Sequence, residues 1–321
     1  MSLDWYPTAE ILTLRERAKV LAQVRAFFAE RGVMEVDTQC LSRAAVSDPF
    51  IDTLEVSFQT QPGAPVDKLY LQSSPEYAMK RLLAADSGPI YQLGKVFRNG
   101  EVGRLHNPEF TMLEWYRPRF TSSELIDEVQ ALVTRVLGKQ HWERLSYKAL
   151  FERFVGVDPH RVSIDELKAI LQPKFDFCFT DERRDTWLEL VMSHLIEPKL
   201  IDPTIVYDFP ASQAALAELR IDADGVEVAS RFELYAGGME LANGYQELRD
   251  AQEQADRLQA DDDYRYANGL PQRPLETRLV AALEAGFPAC SGVALGFDRL
   301  LMIKLGVSDI REVIPFAFER A

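Results

Sequence analysis

Between Val96 and Tyr116 the chain sets an arginine, a histidine, an aromatic ring, a carboxylate and a phenol close together. The stretch reads as strand, polar loop, strand. Its second half alternates with period two. Phe110, Met112, Glu114 and Tyr116 share one face, and Glu109, Thr111, Leu113 and Trp115 share the other. Arg98 sits on the first strand and His106 in the loop. That set suits a nucleotide and a cationic group held side by side. The ring stacks on a base, the cationic side chains meet phosphates, and Glu114 pairs with an ammonium.

Other segments offer matching chemistry. Arg231, Glu233 and Tyr235 share one strand face, Gly237-Gly238 supplies a tight turn, and Met239 to Glu247 returns. Whether that turn centres on Ala236-Gly237 or on Gly237-Gly238, Glu233 and Glu240 point the same way. Two carboxylates there can hold a divalent metal together with nucleotide phosphates. A solvated face with scattered acids is the alternative. Asn243, Tyr245 and Glu247 continue one alternating side. Ser74-Pro75-Glu76 opens a helix, with Ser74 as N-cap, Pro75 in the first turn and Glu76 at the positive end. Locally, capping alone accounts for Glu76. Near the C-terminus, Gly292 and Gly296 let backbone approach a ligand, and Asp298 or the residue before it starts a helix. Arg299 in that first turn can lie against a triphosphate.

The elements that position these groups follow from periodicity. Residues 13–31 form an amphipathic helix with Val20, Leu21, Val24, Phe27 and Phe28 on one stripe and Gly32 as a stop. Val33 to Thr38 alternates like a strand, as do Leu54, Val56 and Phe58. Leu125, Val129, Leu132, Val133 and Val136 repeat at helical spacing. Residues 142–205 read as largely helical, punctuated by Pro159, Pro173, Pro198 and Pro203, with no chemistry of their own. Thr204 to Pro210 is a strand. Residues 249–285 are polar helices, and Asp261-Asp262-Asp263 reads as a solvated helix end.

Composition sets limits. At 321 residues, 47% hydrophobic and 27% charged, the chain has the make-up of one large globular domain or two modest ones. It has no apolar run of the roughly 18 residues a membrane helix needs. Met1-Ser2-Leu3-Asp4-Trp5-Tyr6 lacks a signal pattern. Cys40, Cys178 and Cys290, odd in number and far apart, point to a reducing compartment without a disulfide framework. A net charge of −14 disfavours broad contact with nucleic-acid backbone.

Phe97-Arg98, the loop residues Arg104, His106, Asn107, Pro108, Glu109 and Phe110, and Glu114 resemble motif 2 of the class II aminoacyl-tRNA synthetases, the lysyl branch in particular. The helix and strand before Thr38 resemble motif 1, and Gly296-Phe297-Asp298-Arg299 resembles motif 3. Residues 240–247 resemble the lysyl segment that grips the substrate side chain, and 74–76 the segment whose glutamate holds substrate amine. The resemblance implies an α+β fold, a mostly antiparallel sheet flanked by helices. One catalytic domain would span 1–321, with 142–205 as a largely helical insertion beside the sheet.

Motif 1 begins almost at once, so no N-terminal OB domain for reading an anticodon is expected. That narrows the resemblance to the stand-alone lysyl-synthetase-like ligases of bacteria that modify elongation factor P. It implies a cytoplasmic homodimeric enzyme. ATP and Mg²⁺ would activate (R)-β-lysine or lysine, and elongation factor P rather than tRNA would accept it. Arg98 would meet the α-phosphate, Phe110 adenine, and His106 and Arg299 the β,γ-phosphates. Asn99, Gly100 and Asn107 would lie near the base, Leu241 and Gly296 along the nucleotide, and Glu233 and Glu240 on Mg²⁺. Ser74, Pro75, Glu76, Glu114, Tyr116, Asn243, Tyr245, Glu247 and Ala294 would hold the amino acid.

Three positions depart from the family pattern. Gln39 replaces the proline that ends motif 1. Gly100 replaces the motif 2 glutamate, leaving either Glu101 after a local shift or backbone at Gly100 to place the nucleotide. Ala294 stands where lysyl synthetases tend to have glycine, which suits a β-amino acid. Two rival classes remain: a ligase activating another amino acid for tRNA or an amide product, and an inactive synthetase-like binding module. Glu114 and Glu247 argue against the first. Gly100 and Gln39 favour the second, while Arg98, Phe110, Glu240 and Arg299 oppose it.

Overall fold

The computed structural model describes residues 5–176 and 181–321, so Met1 to Asp4 and Cys178 lie outside the described residues. The strands run β1 (Met34–Glu35), β2 (Leu41–Ser42), β3 (Glu55–Phe58), β4 (Asp67–Leu71), β5 (Ile90–Phe97), β6 (Glu109–Pro118), β7 (Glu143–Ser146), β8 (Thr204–Pro210), β9 (Leu219–Ile221), β10 (Glu227–Ala236), β11 (Met239–Gln246) and β12 (Cys290–Gly296). The helices are α1 (Ile11–Ala29), α2 (Glu76–Ala84), α3 (Ser122–Leu137), α4 (Tyr147–Val155), α5 (Ile164–Leu171), α6 (Arg184–Val191), α7 (Ala251–Ala267), α8 (Thr277–Gly286) and α9 (Phe297–Leu305).

One large sheet takes the order β1-β5-β6-β12-β11-β10-β8-β7, with β9 added beside β10. Among the described residues only the edge pairs β1–β5 and β7–β8 are parallel. The architecture is thus α+β, a mostly antiparallel sheet flanked by helices. Strands β2, β4 and β3 form a small separate sheet.

The main core lies on one face, where α1, α3 and α9 cover the central strands. Phe28 stacks on Tyr91 at 4.3 Å and meets Trp115 edge-on. Leu113 and Trp115 point into this core, so the alternate residues of β6 face the other way. Helix α3 begins with a capping box between Thr121 and Glu124. A second core gathers Tyr147, Phe151, Trp187 and Leu188 from α4 and α6 against Val206, Phe209 and Ala229 of the sheet. The segment 142–205 also contributes β7 to that sheet.

Two local expectations change. The alternating stretch 33–38 forms only a two-residue strand, with Met34 and Glu35 both exposed. It lies on the outer side of β5 and has one partner strand, so nothing extends it. The triple-aspartate run lies inside α7 rather than at its end. Asp261 accepts a hydrogen bond from Ser47 Oγ at 2.5 Å, and burial raises its carboxyl.

Candidate active site

Cross-strand register builds the site on the sheet face opposite the main core. Glu114 lies opposite Ala294, Ala294 opposite Asn243, and Asn243 opposite Glu233. One step along, Tyr116, Gly292, Tyr245 and Arg231 form a parallel row. Each row spans β6, β12, β11 and β10, and both line a cavity of about 370 Å³. That volume suits a small-molecule ligand.

Of the residues singled out from sequence, Ser74, Glu76, Arg98, His106, Asn107, Phe110, Glu114, Tyr116, Glu233, Glu240, Leu241, Asn243, Tyr245, Glu247, Ala294, Gly296 and Arg299 line this cavity. Pro75, Asn99 and Gly100 do not. Pro75 occupies the cap position of α2. Asn99 turns away to Asp52, bonding its backbone and, at 2.6 Å, its carboxylate. Gly100 takes a left-handed φ of +75°, and the residue after it, Glu101, reaches the wall. Glu101 lies 3.7 Å from Arg98 Nη1. Of the two alternatives at motif 2, Glu101 lines the cavity and Gly100 does not.

Acids gather at one end. Glu114 is 2% exposed, and its two oxygens accept from Ser74 Oγ and Tyr116 Oη, both at 2.7 Å. Burial pushes its carboxyl up to about 8, and Glu76 adds to the shift. Ser74, read from sequence as the N-cap, lies one residue ahead of the observed cap Pro75, yet its Oγ accepts from the Glu76 N–H, so one hydroxyl steadies the start of α2 and orients Glu114. Glu247 is buried, and burial raises its carboxyl to about 7. Its Oε2 lies 2.6 Å from Lys80 Nζ, while Oε1 has no hydrogen-bond partner. Asn243 Oδ1 is another buried acceptor without a partner. Such groups are costly unless a ligand supplies the donor.

The opposite end is basic. Arg299, on the first turn of α9, donates to Glu240 O at 2.8 Å and Leu105 O at 3.4 Å. Its Nη2 lies 2.7 Å from His106 Nε2. An arginine only donates, so His106 Nε2 accepts and the ring is neutral, with its proton on Nδ1. Burial, and then the charge of Arg299, lower the His106 pKa, in keeping with this. His106 therefore offers a ligand a neutral N–H rather than the cation its residue type suggested. Arg98 lies over the Phe110 ring, 5.2 Å from its centroid, with its Nε buried and unpaired. Asn107 spends its amide on Glu109 O at 2.6 Å and on the Phe318 N–H at 3.0 Å, so it braces the loop. Asp298, also on the cavity wall, accepts from Arg17 at 2.5 Å and from the Thr111 N–H at 2.7 Å, tying α9 to α1 and β6.

Between the ends stand Glu233 and Glu240. The observed turn centres on Gly237-Gly238, both at positive φ. Strict alternation would put Glu240 on the opposite face from Asn243, Tyr245 and Glu247. A bulge between Leu234 and Tyr235 restores it to theirs. Glu233 is engaged by Arg231 and Tyr235. Burial, then Glu233, raise Glu240 to about 7, and a cation between the two would relieve that repulsion. No cluster of three or more candidate metal ligands occurs among the described residues. Two carboxylates completed by phosphate oxygens fit Mg²⁺, which favours such partial protein ligation.

Sequence reasoning passed over Lys80, placed Arg231 on the right face without a role, and read Gly292 only as room for close backbone approach. Lys80 looked like any exposed helical lysine. At Gly292 the close approach is to neighbouring side chains. A Cβ there would lie 2.3 Å from the Tyr116 ring and 2.4 Å from Glu247 Oε1.

A model of the class II tRNA synthetases (D, K and N) matches residues 3–320. The chain is 50% identical over 324 residues to the elongation factor P–(R)-β-lysine ligase of Proteus mirabilis, covering 99% of this chain and 98% of that one. It is 50% identical over 322 residues to the ligase of the same name from Vibrio cholerae, covering 99% of each. A third, from Haemophilus ducreyi, is 47% identical over 321 residues and covers 99% of this chain and 98% of its own. With a family model spanning nearly its whole length and relatives of this closeness, the chain belongs to the class II tRNA synthetase family.

Proposed function

We propose that this enzyme activates (R)-β-lysine, or lysine, with ATP and passes the acyl group to a lysine ε-amine of elongation factor P. One observation carries the reading. A single cavity joins the acids Glu76, Glu114 and Glu247 to a basic wall of Arg98 and Arg299. Such a cavity suits a molecule with amines at one end and a carboxylate facing a triphosphate at the other. The names of the close relatives support the choice of amino acid and acceptor. Ala294, between Glu114 and Asn243 in the sheet, supports a β-amino acid, because its methyl narrows the floor where the amine would lie.

The reaction has two steps. The substrate carboxylate attacks the α-phosphorus of ATP. A carboxyl–phosphate bond forms, and the bond to pyrophosphate breaks. The acceptor's amine then attacks the acyl carbon, an amide forms, AMP leaves and the amine loses a proton. No side-chain nucleophile is needed, since positioning and charge neutralisation supply most of the catalysis. Arg98 neutralises charge at the α-phosphate while Phe110 holds the base. Arg299 and the neutral His106 lie along the β,γ-phosphates. Glu101 takes the nucleotide-placing role left by Gly100. Glu233 and Glu240 would hold Mg²⁺, which neutralises phosphate charge. Leu241 and Gly296 border the nucleotide, and Asn243 and Tyr245 the amino acid.

The described chain has no helix long and apolar enough to cross a membrane. We place the enzyme in the cytoplasm as a homodimer, the dimer resting on the exposed Leu12 of α1 and Met34 of β1. The deciding experiment is pyrophosphate exchange into ATP, driven by (R)-β-lysine or lysine. It is followed by transfer of the labelled amino acid to elongation factor P or to tRNA. Exchange with label on elongation factor P alone is expected. No exchange with either amino acid overturns the reading, and label on tRNA overturns the acceptor.

A further inference from the structure

Helix α2 carries a lysine where an amphipathic helix would place an apolar residue. Lys80 is 1% exposed, on the helix face that also buries Tyr77, Met79 and Leu83. Its Nζ lies 2.7 Å from Glu76 Oε1 and 2.6 Å from Glu247 Oε2. A buried ammonium is retained only where it is paired. Burial alone would lower its pKa, but Glu247 and then Glu76 outweigh that and keep it charged. Lys80 is absent from the cavity lining, so it touches no ligand and acts through the two carboxylates.

The charges at this end can be counted. Glu76, Glu114 and Glu247 carry three negative charges when ionised, and Lys80 returns one positive. The balance, minus two, is offset by the plus two of two ammonium groups. Two amines leave the end neutral, whereas a single amine leaves a buried charge uncompensated. Lys80 also holds two of the three carboxylates in fixed rotamers, because its ammonium bridges residues from α2 and from the end of β11.

We propose that Lys80 is the positioning residue that sets specificity for a diamine amino acid, by fixing Glu76 and Glu247 and holding the amine end at minus two. This rests on the diamino-acid reading above. Without Lys80 the end carries minus three. It then takes up a proton, with the carboxyls mutually repelled, and binds a dication less well. Losing Glu247 instead leaves minus one, which also mismatches. Removing both charges restores minus two.

The test is ATP–pyrophosphate exchange with the amino acid that drives it in the wild-type enzyme, and with that amino acid lacking its terminal amine. Four proteins are compared: wild type, Lys80→Met, Glu247→Gln and the double variant. Each single variant is expected to raise KM for the diamine about 10- to 100-fold, with kcat and the KM for ATP changed less than about threefold. The double variant is expected to recover at least about tenfold of that loss. The preference for diamine over monoamine should shrink in each single variant and return in the double. In Lys80→Met the fall of diamine KM with pH should shift to higher pH. A purely structural lysine would instead give a double variant no better than the worse single one, with both amines affected alike, and that result overturns the proposal. Should Lys80→Met not fold, the double variant still decides, since it removes the fully buried Glu247 charge together with Lys80 and leaves only the partly exposed Glu76 without its ammonium. Lys80→Arg, which keeps the charge, must then keep the diamine preference. A wild type that exchanges with no diamine overturns the functional reading rather than this inference alone.

Discussion

At the amine end of the cavity the carboxylates are already held, Glu114 by Ser74 and Tyr116, and Glu76 and Glu247 by Lys80. At the phosphate end the donors wait: Arg98 Nε is buried without a partner, and Arg299 rests on the carbonyls of Glu240 and Leu105. The first end is built on the central strands and the start of α2. The second depends on the loop between β5 and β6. An end set by sheet register is preorganised and discriminates between side chains. A loop with unspent donors gains its partners when a polyanion arrives, which is where charge develops during the reaction. On the proposed function, specificity belongs to one end and rate to the other.

That assignment is open to breakage at its strongest point. Arg98→Ala removes a donor from the phosphate end, and its loss is expected to lower kcat by about a thousandfold or more, roughly 4 kcal/mol of transition-state stabilisation. The KM for the amino acid should change little. Single-turnover adenylate formation measures this, and an effect mainly on amino-acid KM would reverse the roles of the two ends.

Gly292→Ala probes the other end. The new methyl would sit within 2.4 Å of Tyr116 and Glu247 Oε1, both anchored, so it must push them aside. Overpacking of this kind costs about 1–3 kcal/mol. Expressed as binding, that is about a 10- to 100-fold rise in amino-acid KM, with the KM for ATP unchanged. Isothermal titration with ATP alone and amino acid alone separates the two.

A pH profile distinguishes the ends more gently. In the free enzyme burial and Glu76 raise Glu114 to about 8, so at pH 6 it holds a proton that an incoming ammonium must displace. Binding then releases a proton. The KM for the amino acid is expected to fall by up to about tenfold per pH unit from pH 6, and to level off near 8. Glu240 is raised to about 7, so the KM for Mg-ATP should level off about one unit lower. Profiles that level off together would remove the electrostatic distinction between the ends.

How far these features were legible depends on whether neighbours in the chain decide them. Alternation over residues 110–116 gave the correct wall because β6 is unbroken. The same rule fails across Glu240 to Glu247, where a bulge changes the parity, and no residue type there announces it. A helix period places Lys80 on α2 but not between Glu76 and Glu247, because Glu247 arrives from more than 160 residues away. Gly292 reads as close backbone approach to a ligand, but it is Tyr116 and Glu247 that pack against it. His106 reads as a cation until Arg299, again distant in sequence, forces the neutral tautomer. The motifs thus supplied which residues meet, while their charge states needed the fold.

The smallest expected effect lies at the motif 2 departure. Gly100 has a left-handed φ of +75° with nothing within 4 Å of a would-be Cβ, so Gly100→Glu meets backbone strain rather than a clash. That strain is worth about 1–2 kcal/mol, seen as a lower denaturant midpoint. Gly100 does not line the cavity, so the KM for ATP should stay within about threefold of wild type. Glu101→Gln keeps the shape but removes the charge facing Arg98, and a rise of about three- to tenfold in the KM for ATP is expected. If Gly100→Glu lowered that KM while Glu101→Gln left it unchanged, the nucleotide-placing role would belong to position 100 and the loop would have to rearrange on binding. The opposite pattern fixes the role on Glu101 and makes Gly100 the turn that swings it inward.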